Sequence, residues 1–165
     1  MKVLAIDAST KSTGVALFED TKLIKYECLT ATSTDLIKRI QKIIQQLHEF
    51  TSSETIDKII LEEVRPENGL QNIKTHRALM WLQGAIAFLF HETHPKAEIE
   101  YVYPSSWRAK CGIKNGRGVR REALKEMDIA FCKKEYLIDV NDDIADAIGI
   151  GHAYVNELSN EINWA

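Results

Sequence analysis

Four carboxylates stand where they can share one piece of chemistry: Asp7, Glu62, Asp143 and Asp146. Asp7 closes the apolar run that opens MKVLAIDAST, Glu62 directly follows Ile59-Ile60-Leu61, and Asp143 and Asp146 lie three residues apart in a C-terminal helical pattern. Acids at that spacing share a helix face, beside an apolar stripe of Ile144, Ala147, Ile148 and Val155. Carboxylates gathered in water repel one another and take up protons, a conflict that divalent cations resolve. An oxygen-only donor set suits Mg²⁺ or Mn²⁺, which keep waters and complete their shells on phosphate oxygens. Two such ions about 4 Å apart activate a water and stabilise a leaving 3′-oxygen in phosphodiester hydrolysis. Taken singly, each acid reads as a turn cap, a strand-end salt bridge or a solvated helix start. Their order and placement together argue for a site.

The elements that must position these acids follow from the pattern of apolar residues. Lys2 to Asp7, Thr13 to Phe18 and Lys22 to Leu29 read as strands separated by the short turns Ser9-Thr10-Lys11-Ser12 and Glu19-Asp20-Thr21, which requires an antiparallel meander. Ser33 to Phe50 has helical period, with Leu36, Ile40, Ile43, Leu47 and Phe50 on one face. Ile56 to Val64 is a strand whose unalternating centre predicts cover on both faces and a parallel place beside the first strand. Asp7 and Glu62 then emerge at one sheet edge, where ligands bind in such sheets. In that strand Glu62 and Glu63 face opposite sides, so one of them alone can join the cluster; Asp142 likewise adjoins Asp143.

After the loop Arg65-Pro66-Glu67-Asn68-Gly69, a helix from about Gln71 to His91 is apolar almost all round from Ala78 onward. A surface helix of that kind needs cover on its outer side. Met80, Trp81, Ile86 and Phe90 therefore mark a homodimer interface. Glu98 to Val102 is the last strand, and helices are expected at Pro104, from Val119 to Phe131 and from Val140 to Leu158. The whole is an α/β chain: a five-stranded mixed sheet, antiparallel through strands 1 to 3 and parallel for strands 4 and 5, flanked by helices on both faces.

Charge is unevenly spread. Between Tyr103 and Arg121 stand Arg108, Lys110, Lys114, Arg117, Arg120 and Arg121 with no acid among them, a +6 segment that leaves −9 on the rest of a chain of net charge −3. With its glycines and the flanking Tyr101, Tyr103 and Trp107, this segment reads as a phosphate-tracking surface. Arg65 lies in the loop after the second acid and extends the same surface. His152, on the helix of Asp146, reads as structural, and His91 and His94 lack a third partner for zinc.

Asp7 in AIDASTKSTGVALFE, Glu62 in IILEEV, and Asp143 and Asp146 in DDIADAIGIGHA resemble, in that order, the motifs of the RuvC family of Holliday junction resolvases, and the small phage-encoded members look closest. The likeness runs from the first strand to the C-terminal helix. It implies a ribonuclease H-like fold, four acids binding divalent metal, and a homodimer that nicks opposing strands of a four-way DNA junction. The motif spacing selects Glu62 and Asp143 over their neighbours. Bacterial members usually carry an aromatic residue just after the second acid, where this chain has Arg65-Pro66.

Length and composition agree with that reading. The 165 residues, 45% hydrophobic, suit one domain over 1–165. Cys28, Cys111 and Cys132 are odd in number and never in a CxxC pair, which points to a reducing cytoplasm, the host's if the chain is phage-encoded. No signal-peptide pattern opens the sequence, and Ala78 to Phe90 falls short of the roughly 20 residues a spanning helix needs. No small-molecule cofactor is expected. An actin-like or sugar-kinase ATPase would share the D-x-S-x-K-x-x-G opening but needs a second phosphate loop. A non-catalytic junction binder would not need the acids, and a nuclease for RNA–DNA hybrids would present the same metal pair.

Overall fold

Apolar runs separated by turn residues set the sheet. β1 (Lys2–Asp7), β2 (Ser12–Glu19) and β3 (Lys22–Thr30) follow one another through short turns, so β1 pairs antiparallel with β2 and β2 with β3. β4 (Lys58–Glu62) lies parallel to β1, and β5 (Glu98–Val102) parallel to β4. The resulting order is β3-β2-β1-β4-β5. The computed structural model describes residues 1–64 and 73–162. The loop from Arg65 to Gly69 and the expected helix start at Gln71 lie outside the described residues.

Among the described residues, five helices cover the sheet: α1 (Leu36–Thr51), α2 (Ile73–Thr93), α3 (Pro104–Lys110), α4 (Arg121–Tyr136) and α5 (Asp142–Ile162). The two-residue period of the strands divides the core between them. Leu4, Ile6, Ile59 and Leu61 pack with Ile43 and Leu47 of α1 and with Leu82, Ile86 and Phe90 of α2. Val3, Ala5 and Ile60 pack on the other side with Trp107 of α3, Cys132 of α4, and Ala145 and Ile148 of α5. β4 is thus buried on both faces from Ile59 to Leu61, as its unbroken apolar run predicts.

Element ends differ from the periodic pattern for local reasons. α1 begins at Leu36 rather than Ser33, because Asp35 in extended backbone caps it and accepts from the Lys38 amide at 3.0 Å. α4 opens at Arg121 rather than Val119 and continues past Phe131 to Tyr136, where Leu137 turns left-handed at φ 59°. α5 starts two residues later than Val140, since Asn141 Oδ1 accepts from the Ile144 amide at 2.9 Å. β4 is shorter than the span Ile56 to Val64; Ile56 is buried in the core ahead of the strand.

The apolar helix α2 divides its residues between two surroundings. Ile86 and Phe90, expected at an interface, belong to the core beneath the sheet. Met80 and Trp81 are about half exposed, and Phe88, on the same outer side, is 69% exposed. Helical period explains the split, because Leu82, Ile86 and Phe90 repeat at four residues and turn inward together.

Candidate active site

Strand alternation carries the first two acids to one place. Val3 and Ala5 face α5, so Asp7, two residues on, does also. Ile60 faces the same side, and Glu62 follows it. Ile6 pairs with Leu61 across β1 and β4, which brings Asp7 and Glu62 out at the same sheet edge. The charge of Glu63 instead bears on Tyr101, whose strand neighbour Ile99 packs on the α1–α2 side.

The third and fourth acids arrive on α5, whose first turn rests directly on β2. Gly14 is the cross-strand partner of Asp7, and a Cβ there would sit 1.8 Å from the Asp143 carbonyl oxygen. Farther along, a Cβ at Gly149 would lie 2.4 Å from the Trp107 ring. The small residues of DDIADAIGIGHA therefore let α5 lie close on the sheet and on α3. The N-terminal turn of a helix also favours acids, which stand near its positive dipole end.

Protein donors engage three of the four carboxylates, those of Asp143, Glu62 and Asp146. Ser12 Oγ donates to Asp143 Oδ2, and Cys28 Sγ stands 3.1 Å from the same hydroxyl. Trp107 Nε1 donates to Glu62 Oε2 at 2.7 Å, while the buried Gln83 Nε2 holds the Glu62 carbonyl at 2.8 Å. Gln83 is the polar break in the apolar run of α2, and this bond accounts for it. Arg108 Nη2 donates to Asp146 Oδ2 at 3.3 Å and to the buried Asp128 at 3.0 Å. Asp142 turns away to pair with Lys125, whose hydrogen bond holds its carboxyl below the usual range. Asp143, not Asp142, is the acid on the Ser12 side.

Crowding and burial show in the proton affinities. Burial, reinforced by the charges of Glu62 and Asp143, pushes the Asp7 carboxyl up to about 8. Burial, then the Asp7 charge, raises Asp146 to about 9. Glu62 is raised by burial against the opposing hydrogen bond from Trp107. Burial and mutual repulsion thus raise the proton affinity of all three.

The basic residues separate into two groups. Arg108 is drawn into the acidic cluster, with its side chain 12% exposed. Lys110 pairs with Glu157 on α5. Lys114, Arg117, Arg120 and Arg121 are exposed on the loop and the start of α4, where the backbone turns at Gly116 (φ 140°) and Gly118 (φ 91°), conformations that favour glycine. The charge of Arg121 reaches Glu62, so this basic rim adjoins the acids. Arg65 lies outside the described residues. His152 accepts or donates to the Tyr136 hydroxyl at 2.7 Å, the structural role its position predicts.

Sequence reasoning missed Ser12, Gly14, Gln83 and Asp128. Asp128 left a signal: it is a charge one helical turn ahead of Cys132, with which it is buried on α4. The others act through contacts with residues remote in sequence.

The donor set fits a hard divalent cation. It is all oxygen, and Asp146 Oδ1 is buried with no hydrogen-bond partner. As the side chains stand, among the described residues no three His, Cys, Asp or Glu groups form a cage that could hold an ion. Hydrogen bonds from Ser12, Trp107 and Arg108 engage one oxygen each of Asp143, Glu62 and Asp146.

No protein-family model matches the sequence, and no curated protein matches it. Solved structures do. The chain is similar to T. thermophilus RuvC in complex with Holliday junction substrate, with a TM-score of 0.76, 14% identity, and 97% of this chain and 96% of that one covered. It is similar to the fowlpox virus Holliday junction resolvase, with a TM-score of 0.62, 15% identity, and coverage of 96% and 99%. It is also similar to the yeast mitochondrial Holliday junction resolvase, with a TM-score of 0.58, 18% identity, and coverage of 98% and 82%. At these identities the likeness is one of architecture: the chain has the RuvC-like, ribonuclease H-like fold, a mixed five-stranded sheet with helices on both faces.

Proposed function

We propose that this protein is a metal-dependent, structure-selective DNA endonuclease that resolves four-way junctions by paired nicks. The observation that carries the proposal is the meeting of Asp7, Glu62, Asp143 and Asp146 at one edge of a RuvC-like sheet. The fold is shared with resolvases, two of them solved with Holliday junction DNA. Mg²⁺, with Mn²⁺ as a substitute and two ions per site, supplies activation of the attacking water and stabilisation of the leaving oxygen when bound. Asp7, Glu62, Asp143 and Asp146 are the ligands.

Lys114, Arg117, Arg120 and Arg121 grip backbone phosphates, and Arg65 is a further candidate from the sequence; Arg108 and Lys110, expected with them, are engaged instead by Asp128, Asp146 and Glu157. The outer side of α2, with Met80, Trp81 and Phe88 exposed, supports a homodimer whose two-fold symmetry matches that of a junction. No helix among the described residues is long and apolar enough to cross a membrane, and the three cysteines are free, which supports action in a reducing cytoplasm.

The test offers purified protein a four-way junction, a linear duplex, a flap and an RNA–DNA hybrid in Mg²⁺. Symmetric nicks in the junction, with the duplex left whole, are expected. Preferential cutting of the hybrid would move the protein to another substrate class within the same fold.

A further inference from the structure

Among the described residues, Asp128 is the only charged one buried from solvent, at 1% exposure. A carboxylate in that position is costly unless it is paired and hydrogen-bonded. Arg108 provides the pairing: its Nε donates to Asp128 Oδ1 at 3.3 Å and Oδ2 at 3.1 Å, and its Nη2 donates to Oδ2 at 3.0 Å. A pair that only pinned α3 to α4 would close on itself. Here Nη2 is shared with Asp146 Oδ2 at 3.3 Å, while the other oxygen of Asp146 is buried and unbonded. The guanidinium also lies 4.3 Å from the centre of the Trp107 ring, whose Nε1 holds Glu62. Arg108 is thus fixed from α4 and α3 and offers one nitrogen to the acid of α5.

We propose that Asp128 is a positioning residue for the acidic cluster: it holds Arg108 as the counter-ion of Asp146, and a divalent cation entering the cluster takes Asp146 from Arg108 while Asp128 keeps the guanidinium in place. The inference rests on the metal-dependent reading above. A guanidinium in hydrogen-bond contact with a carboxylate competes with any other cation for it. The fork geometry lets Nη2 give up its contact to Asp146 while Nε and Nη2 both stay bonded to Asp128, which a lysine could not do.

Mn²⁺ binding to the DNA-free protein, followed by electron paramagnetic resonance of the free ion, tests the exchange. Arg108→Gln removes the competitor and should tighten Mn²⁺ binding by about tenfold or more. Asp128→Asn removes an attracting charge and leaves Arg108 to Asp146 alone, so binding should weaken by about threefold or more. Breaking a mere packing staple from either end would move both variants in the same direction, or neither, and that result overturns the proposal. Should a variant fail to fold, the wild-type protein carries the test: Mg²⁺ should shift the Arg108 Nη signals in ¹⁵N NMR while its Nε–H stays protected from exchange. Nη signals unmoved once Mg²⁺ has saturated its effect on thermal stability would refute it. Asp7→Asn separates the two levels: if it binds Mn²⁺ as well as wild type, the metal centre itself is misassigned and the exchange falls with it.

Discussion

Gly14→Ala adds one carbon at the point where α5 rests on β2. The new Cβ would lie 1.8 Å from the Asp143 carbonyl oxygen, 2.4 Å from its carbonyl carbon and 3.1 Å from the Ile144 nitrogen, all of them backbone atoms that no rotamer change can clear. Ordinary contact begins at 3.4 Å, so the first turn of α5 must retreat by about 1.5 Å. Overpacking of that kind costs about 1–3 kcal/mol of stability. It carries Asp143 away from Ser12 and moves Asp146 with it, and a displacement of about 1 Å at a reacting centre can cost about 10²-fold in rate. Junction nicking in Mg²⁺, alongside thermal melting and gel-shift affinity, reads all three quantities. The expected result is a folded protein that melts lower, binds junctions normally and nicks them about a hundredfold more slowly. Wild-type melting together with wild-type nicking would show that α5 does not hold its acids where the structure places them.

Neutralising Arg117, Arg120 and Arg121 together should weaken junction binding across sequences and flatten its salt dependence by up to about 0.9 log units per lost phosphate contact; unchanged affinity and slope would return the segment to a solvated loop. Phe88, 69% exposed on the outer side of α2, should weaken the dimer by about 2 kcal/mol or more when changed to Glu, as seen by light scattering; a wild-type protein that is monomeric both free and on DNA contradicts the paired-nick scheme. Asp7 and Asp146 are raised to about 8 and about 9 in the folded protein. They bind protons more tightly there than in the unfolded chain, so the stability they lend is full at acid pH and is lost as pH rises toward those values. The melting temperature of metal-free protein should therefore fall from about pH 5 to about pH 9, with Mg²⁺ restoring it at the upper end; a flat profile unaffected by Mg²⁺ would contradict the crowding of these acids.

The sheet was legible because its signals are local. Two-residue alternation placed Asp7 and Glu62 on the face of Ala5 and Ile60, and the unbroken run of β4 announced burial on both sides. The acids of α5 were legible from their spacing. What escaped depends on contacts between distant segments. Nothing near Gly14 in sequence indicates that Asp143 will lie against it. Arg108 reads as one cation among six until Asp128 and Asp146 are seen on either side of it. The outer side of α2 was partly misjudged, because Ile86 and Phe90 look no different in composition from Met80 and Trp81; the direction of the helix face decides which two meet the core.

On the proposed function, the carboxylates at this sheet edge cut junction DNA with the help of a divalent cation. Asp7→Asn tests it most directly, since the change keeps the shape of the side chain and removes the charge that attracts the ion. The acids repel DNA phosphates when no metal is bound, and the basic rim is untouched, so the variant should bind a four-way junction as well as wild type or more tightly. In Mg²⁺ it should make no detectable nicks where wild type cuts. A folded Asp7→Asn protein that nicks the junction at close to the wild-type rate would contradict the account.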